Sequence, residues 1–292
     1  MTGESQSARR AIVLSFLMVC LASTAAAATK FASAHASTAA IVTVQYLVCT
    51  VLCLPRILRA GLHNLRSAHP YLHLLRGAAG VLGFYLFYAA LHAIPLVDAM
   101  LLRQSAPLLV PVVMWLWLGE RVPAVAWLPL ALGFCGIAII LRPGPAGLSL
   151  WHVTGLASAL ALAISMVATR KLAATEPTSR ILFYYVTLSL ACVAPFGVWD
   201  FHAIALPAAW AAMLYVGVAI YWTLELYTRA YGMAPTALIA PITYFSVVLA
   251  GFWGWLFWQQ VPDAWSLSGS ALVIGGGLLT IYLAGGATGR KE

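Results

Sequence analysis

Ten apolar stretches of about twenty residues each, separated by short runs of charge, Pro or Gly, account for almost the whole of this chain. A hydrocarbon core of roughly 30 Å is crossed by a helix of about 20 apolar residues, so the pattern predicts an all-α integral membrane protein. The stretches lie at 11–29, 37–55, 71–91, 97–118 and 124–141, then at 151–169, 180–199, 208–230, 236–258 and 264–284. Backbone groups in lipid must be satisfied within the segment, and runs this long predict helices rather than barrel strands. Only 8% of residues are charged, against about 25% in soluble domains, so no room remains for a soluble domain.

Lys and Arg placement predicts the orientation. With the N-terminus cytoplasmic, the inner segments hold Arg9, Arg10, Arg56, Arg59, Arg66, Arg76, Arg121, Arg170, Lys171, Arg180, Arg229, Arg290 and Lys291, while the outer ones hold Lys30 and Arg142. That bias places both termini inside. The net charge of +8 is thereby a topology signal. It forms no continuous basic groove and implies no nucleic-acid partner. The segment RRAIVLSFLMVCLASTAAAA has the build of a secretory signal, but is taken as the first transmembrane helix. Cys20, Cys49, Cys53, Cys135 and Cys192 all fall in apolar spans, an odd set that predicts packing residues rather than disulfides or a metal site.

Sliding the chain against itself gives an echo at an offset of 139: Tyr88 on Tyr227, Val122 and Pro123 on Val261 and Pro262, Leu128 on Leu267, Gly136 on Gly275. The halves correspond span for span, as residues 1–145 and 146–292. Five spans per half force the second half to enter the membrane from the opposite side. Inverted repeats of this kind underlie alternating access in secondary transporters, with the solute site near the midplane.

The ten spans, the duplicated five-helix unit, the passage from Pro107 to LGERVP and the glycine-containing fifth span PLALGFCGIAIIL resemble the drug/metabolite transporter superfamily. Within it the chain is similar to the EamA-type exporters, most of all to the bacterial aromatic amino-acid exporters. The second half has Gln259 and Gln260 where the first has Glu120 and Arg121, so the acidic end-of-helix signature occurs once. The resemblance implies a carrier in a bacterial inner membrane that exports amino acids or related metabolites through a central cavity lined by both halves, the fifth and tenth helices lying outside it. It implies no cofactor.

Several residues are candidates for that cavity. Arg103 lies about six residues from the outer end of its span, roughly 9 Å deep at 1.5 Å per residue. It either snorkels to the outer surface or faces inward to attract a substrate carboxylate. Pro107 and Pro111 interrupt the fourth span and Pro241 the ninth, each removing a backbone donor. Breaks in both halves point to a hinge at Pro107 and Pro241. Glu225 is a candidate proton-coupling group, although Arg229 four residues on favours a helical ion pair. Most tryptophans fall at span ends, as interfacial belts require, but Trp222 sits inside a span beside Tyr221, where a ring could stack on a planar solute or pack on a helix. Tyr46, Tyr85, Tyr88, Ser165 and Tyr244 are midspan polar groups that serve either as helix-to-helix bonds or as cavity lining.

An enzyme would need a reacting constellation, and the sequence shows no HExxH, GxSxG or GxxxxGK[ST]. A channel would need a filter of carbonyls or charges. The sequence therefore predicts a secondary transporter in the lipid bilayer, working as a monomer, and the resemblance adds an amino acid as its solute.

Overall fold

The computed structural model describes residues 2–60, 66–119, 127–141, 149–233 and 242–288, and every regular element within them is helical. In chain order these are α1 (Thr2–Ala32), α2 (Thr38–Ala60), α3 (Pro70–Ala93), α4 (Leu96–Gln104), α5 (Ala106–Leu118), α6 (Trp127–Leu141), α7 (Leu150–Ala173), α8 (Thr178–Gly197), α9 (Pro207–Met233), α10 (Phe245–Trp258) and α11 (Ala264–Thr288). A 3-10 turn, Val198–Ala203, follows α8. The ends have local causes. The Ser37 hydroxyl accepts the Ala40 N–H at 3.2 Å to open α2, and Asp263 accepts the Ser266 N–H at 2.9 Å to open α11. At the far end of α5, Gly119 takes the left-handed conformation, φ 67°, that stops a helix at low steric cost.

Among the described residues, seven segments are long and apolar enough to cross a bilayer: Arg9–Ala32, Thr38–Pro55, Pro70–Ala93, Leu96–Leu118, Leu150–Ala173, Thr178–Ala203 and Pro207–Ala230. Trp127–Ile140, Phe245–Trp258 and Ala264–Leu279 are apolar but shorter. Ten full-length crossings are thus not what the described residues show. The first two short helices border residues 120–126, 142–148 and 234–241, which lie outside the described residues along with Pro241, Glu120 and Arg121.

The fourth predicted span is two helices. Its backbone breaks at Ser105, whose N–H bonds the Leu101 and Leu102 carbonyls at 3.1 and 3.2 Å. Pro107 stands in the first turn of α5, where its missing N–H leaves no orphan donor. A second break falls at Tyr244, just before α10. Gln104 and Thr243, each one residue ahead of its break, are 139 positions apart and bonded to one another, Gln104 Nε2 donating to the Thr243 carbonyl at 2.9 Å.

Helix packing repeats with the halves exchanged. α1 lies on α9 as α3 lies on α7, α2 lies on α9 as α3 lies on α8, and α1 lies on α10 as α5 lies on α7. The pairs α2 with α8 and α6 with α11 are their own equivalents, so a pseudo-two-fold axis runs between them. Lys30, near the end of α1, bonds the last carbonyls of α3. Glu176, just after α7, bonds Ser67 and His73 at the start of α3. The equivalent helices α1 and α7 therefore finish at opposite ends of α3.

The α6 and α11 backbones meet through glycine. A Cβ added to Gly136 would stand 2.7 Å from the Gly269 carbonyl oxygen, and one added to Gly276 would stand 2.7 Å from that of Pro129. Such close backbone approach is what small residues provide in membrane helix pairs.

Candidate functional site

Tyr46 on α2 and Tyr185 on α8 meet at the centre of the bundle, their hydroxyls 3.0 Å apart and their rings edge to face at 5.7 Å. Both are buried. The Tyr185 ring fits against α3 because residue 80 is glycine: a Cβ there would overlap the ring. On the other flank of Tyr46, Tyr88 donates a hydrogen bond to the Gln45 carbonyl oxygen, leaving the buried Gln45 Nε2 without a partner. Burying an amide donor unpaired costs about 1–3 kcal/mol, so this donor points to an acceptor that the described residues do not supply.

Two arginines face this cluster. The Arg103 guanidinium lies over the rings of Phe84 and Phe87, at 4.4 and 4.7 Å from their centroids, and Nη1 donates to the Gly83 carbonyl at 3.2 Å. Gly83 is ten residues from the end of α3, on the order of 15 Å along the axis at 1.5 Å per residue. The guanidinium therefore reaches toward the middle of α3 rather than toward its end. Arg76 is 8% exposed. Its Nε donates to the Thr169 hydroxyl at 2.6 Å, Nη1 to the Ile181 carbonyl at 3.1 Å, and the guanidinium covers the Tyr185 ring at 4.5 Å. Sequence reasoning counted Arg76 among the inner loop charges. The signal available was its place, five residues inside the run that begins at residue 71.

The other sequence candidates divide by position. Tyr46 and Tyr88 are in the central cluster, and Ser165 adjoins it, its hydroxyl reaching the Arg76 carbonyl at 3.3 Å. Tyr221 and Glu225 line a narrow cleft between α2, α8 and α9 together with Cys53, Ser179, Leu182, Val186 and Leu224. The cleft runs from the end of the bundle at Ser179 to the residue beside Tyr185. Glu225 pairs with Arg229 at 2.8 Å, the helical ion pair its spacing favours. Tyr244 is buried at its break with the hydroxyl unpartnered. Tyr85 and Trp222 are not in the cluster: they are 40% and 46% exposed on outer faces of α3 and α9, because each points away from the side of its helix that packs. Pro107 is exposed at the α4–α5 break.

Polar groups also close both ends. At one end Ser37 donates to Asp200. Nearby, Lys30 gives two 2.7 Å hydrogen bonds to the Leu91 and Ile94 carbonyls, and His152 stands 3.8 Å from the buried Asp98. At the other end Glu176 accepts from Ser67 and bonds His73 at 2.7 Å, with Arg180 at 4.0 Å and the Tyr184 ring 4.4 Å from the imidazole. Burial pushes the Glu176 acid up, but the hydrogen bonds of Ser67 and His73 and the charges of His73 and Arg180 outweigh it and hold the carboxyl below its ordinary range. Among the described residues no group of three His, Cys, Asp or Glu is placed to hold a metal ion.

A buried polar cluster on an axis between two half-molecules, with closures at both ends, is the anatomy of a carrier rather than of a catalytic centre. Comparison with known proteins agrees. The chain is 33% identical over 246 residues to the pseudopaline exporter CntI of Pseudomonas aeruginosa, covering 84% of this chain and 86% of that protein. It is 31% identical to a riboflavin transporter of Rhizobium johnstonii, over 80% of this chain and 78% of that one. It is 23% identical to an S-adenosylmethionine uptake transporter of Rickettsia bellii, over 85% and 84%. A solved crystal structure shares the fold, with a TM-score of 0.64 at 20% identity over 94% of this chain and 97% of the other. These relatives are transporters, and the described helices make this a multi-pass membrane protein. The EamA-like transporter family matches it twice, at residues 9–142 and 149–282, so the chain belongs to that family and is a transporter, not an enzyme.

Proposed function

We propose that this protein exports amino acids, aromatic and other neutral ones, or close carboxylate derivatives of them, from the cytoplasm across a bacterial inner membrane. It does so as a monomer of ten spans with both termini cytoplasmic. The halves, 1–145 and 146–292, rock about the pseudo-two-fold axis and expose the central cluster to each side in turn. The observation that carries the reading is Arg103, a permanent cation held partly buried against Phe84 and Phe87, with no carboxylate partner among the described residues. An intramembrane charge held inside the bundle is a substrate-site feature by default, and a guanidinium beside aromatic rings matches a carboxylate carried on an apolar body. Tyr46, Tyr88 and Ser165 complete the site, with Tyr221 lining its approach and Tyr244 at the second break. Pro107, and Pro241 in the other half, serve as the hinge. Glu225 is kept as a coupling candidate at the mouth of the cleft.

The test is uptake of labelled tryptophan, threonine and lysine into liposomes containing the purified protein, with and without an imposed proton gradient. Saturable uptake of tryptophan that unlabelled amino acids compete supports the reading, and stimulation by the gradient would assign Glu225 its role. No uptake above empty liposomes by folded protein would refute it. The relatives carry a second reading, because the solutes in their names, pseudopaline, riboflavin and S-adenosylmethionine, differ widely. Under that reading riboflavin rather than tryptophan is accumulated in the same assay.

A further inference from the structure

We propose, building on the carboxylate reading above, that the site is made for a solute with two anionic groups, Arg103 taking one and Arg76 the other. Both guanidiniums stay charged at any physiological pH. Among the described residues neither has an acid placed to neutralise it. Arg76 is bonded to a hydroxyl, a carbonyl and a ring face, and Arg103 to a carbonyl and two ring faces. The ionisable groups near enough to act on Arg76 are Tyr185, Tyr46 and Tyr227, and on Arg103 they are Tyr88, Tyr185 and Tyr46. The acids with described contacts are elsewhere: Asp98 by His152, Glu176 by His73, Glu225 by Arg229, Asp200 by Ser37 and Asp263 at the start of α11.

One buried cation can be satisfied by dipoles and ring faces alone. Arg76, buried, and Arg103, partly buried, stand beside the same tyrosine pair and also repel each other, and what relieves both is negative charge between them. The positions fit such a ligand. Arg76 covers the Tyr185 ring, which packs on Gly80, and Arg103 binds the carbonyl of Gly83, one turn further along α3. The two heads are therefore separated by on the order of 5–10 Å along that helix, the span of two carboxylates joined by a few carbon atoms. The Gln45 Nε2 donor, buried and unpartnered in the same cluster, adds a third group that an anion's oxygens would satisfy. Charge selection is also lopsided. At the offset of 139 that pairs Tyr46 with Tyr185, Arg76 corresponds to Tyr215 and Arg103 to Ile242, so both cations come from the first half while the second supplies Tyr185, Thr169 and the Ile181 carbonyl.

The test compares three probes with the same aromatic body: L-phenylalanine, 3-phenylpropionate with one carboxylate, and benzylsuccinate with two. Their affinities for the full-length protein in lipid nanodiscs are measured by tryptophan fluorescence near neutral pH. The expected result is that benzylsuccinate binds about tenfold tighter than 3-phenylpropionate or more. In Arg76→Gln that advantage falls to about twofold or less, and Arg76→Lys restores most of it. Equal affinity of the two acids in the unaltered protein overturns the inference without any variant having to fold, and leaves the carboxylate reading standing. So does an advantage that survives in Arg76→Gln. Binding of none of the three overturns both.

Discussion

The hydroxyls of Tyr46 and Tyr185 lie 3.0 Å apart, and the two residues are separated by 139 positions, the offset at which the two halves of the sequence align. A residue bonded to its own repeat equivalent lies on the axis that exchanges the halves. Gln104 and Thr243 satisfy the same condition one layer away, at the two helix breaks. The solute site argued above is thus centred where motion of one half against the other must act.

Removing one hydroxyl of the tyrosine pair leaves the other buried without that partner. Tyr46→Phe and Tyr185→Phe are each expected to lower unfolding stability by about 1–3 kcal/mol, and the double variant by clearly less than the sum, because nothing is then left unpaired. Thermal unfolding of the four proteins of the cycle in detergent measures the coupling. Additive losses would mean that the hydroxyls do not act as a pair.

Much of this was legible in the chain. Span length gave the helical membrane class, because lipid leaves the backbone no other way to satisfy itself, and the offset-139 echo anticipated two halves packed as equivalents. Site residues were less legible, since a run that is apolar all round does not say which face is inward. Tyr85 and Trp222 read as cavity residues from depth alone and lie on outer faces. Arg76 read as a topology charge and lies on the Tyr185 ring. The pairing of Gln45 with Tyr88 joins positions 43 residues apart, which no local pattern encodes.

Arg103 and the two outward rings separate depth from contact. Arg103→Gln is expected to reduce solute uptake into proteoliposomes about tenfold or more. Arg103→Lys should fall between, because an ammonium keeps the charge but loses the planar stacking on Phe84 and Phe87. Trp222→Leu and Tyr85→Leu should stay within about twofold of the parent protein, as their side chains face lipid. Initial rates at equal reconstituted protein decide the order.

Glu176 gives a pH signature with a definite sign. Its carboxyl is held below the ordinary range, so its contribution to folding is complete above the unfolded value of about 4.3 and is lost as pH falls through the lowered value. The Tm of Glu176→Gln should therefore lie below that of the parent at neutral pH, the gap should persist down to about pH 5, and it should close below about pH 4. Paired melting curves across that range test it, and a gap that widened on acidification would contradict the assignment.

Close backbone contact between α6 and α11 predicts a contrast between glycines. Gly136→Ala places a methyl 2.7 Å from the Gly269 carbonyl oxygen, and the two helices must separate to admit it, at an expected loss of about 1–3 kcal/mol. A Cβ at Gly275 meets nothing within 4 Å, so Gly275→Ala should melt with the parent protein or slightly above it. Melting temperatures of the two single variants provide the check.

The last prediction concerns the two ends. Ser37 and Glu176 are repeat equivalents at the same offset of 139. Each follows the first helix of its half and bonds a segment that lies between the second and third helices of the other half: Ser37 to Asp200, Glu176 to Ser67. Both contacts are made at once in this structure, one at each end of the bundle. Alternating access requires one closure to part while the other holds. The closures differ in chemistry, a single exposed hydrogen bond at Ser37 against a buried Glu176, His73 and Ser67 cluster with Arg180 at its side, so the first should open more readily. Joining Ser37→Cys to Asp200→Cys with a short thiol-reactive cross-linker is therefore expected to abolish uptake and leave solute binding from the opposite end intact, and cleavage of the link should restore turnover. Uptake that continued at the unlinked rate with the link in place would show that these segments need not part, and rocking about the Tyr46–Tyr185 axis would have to be given up.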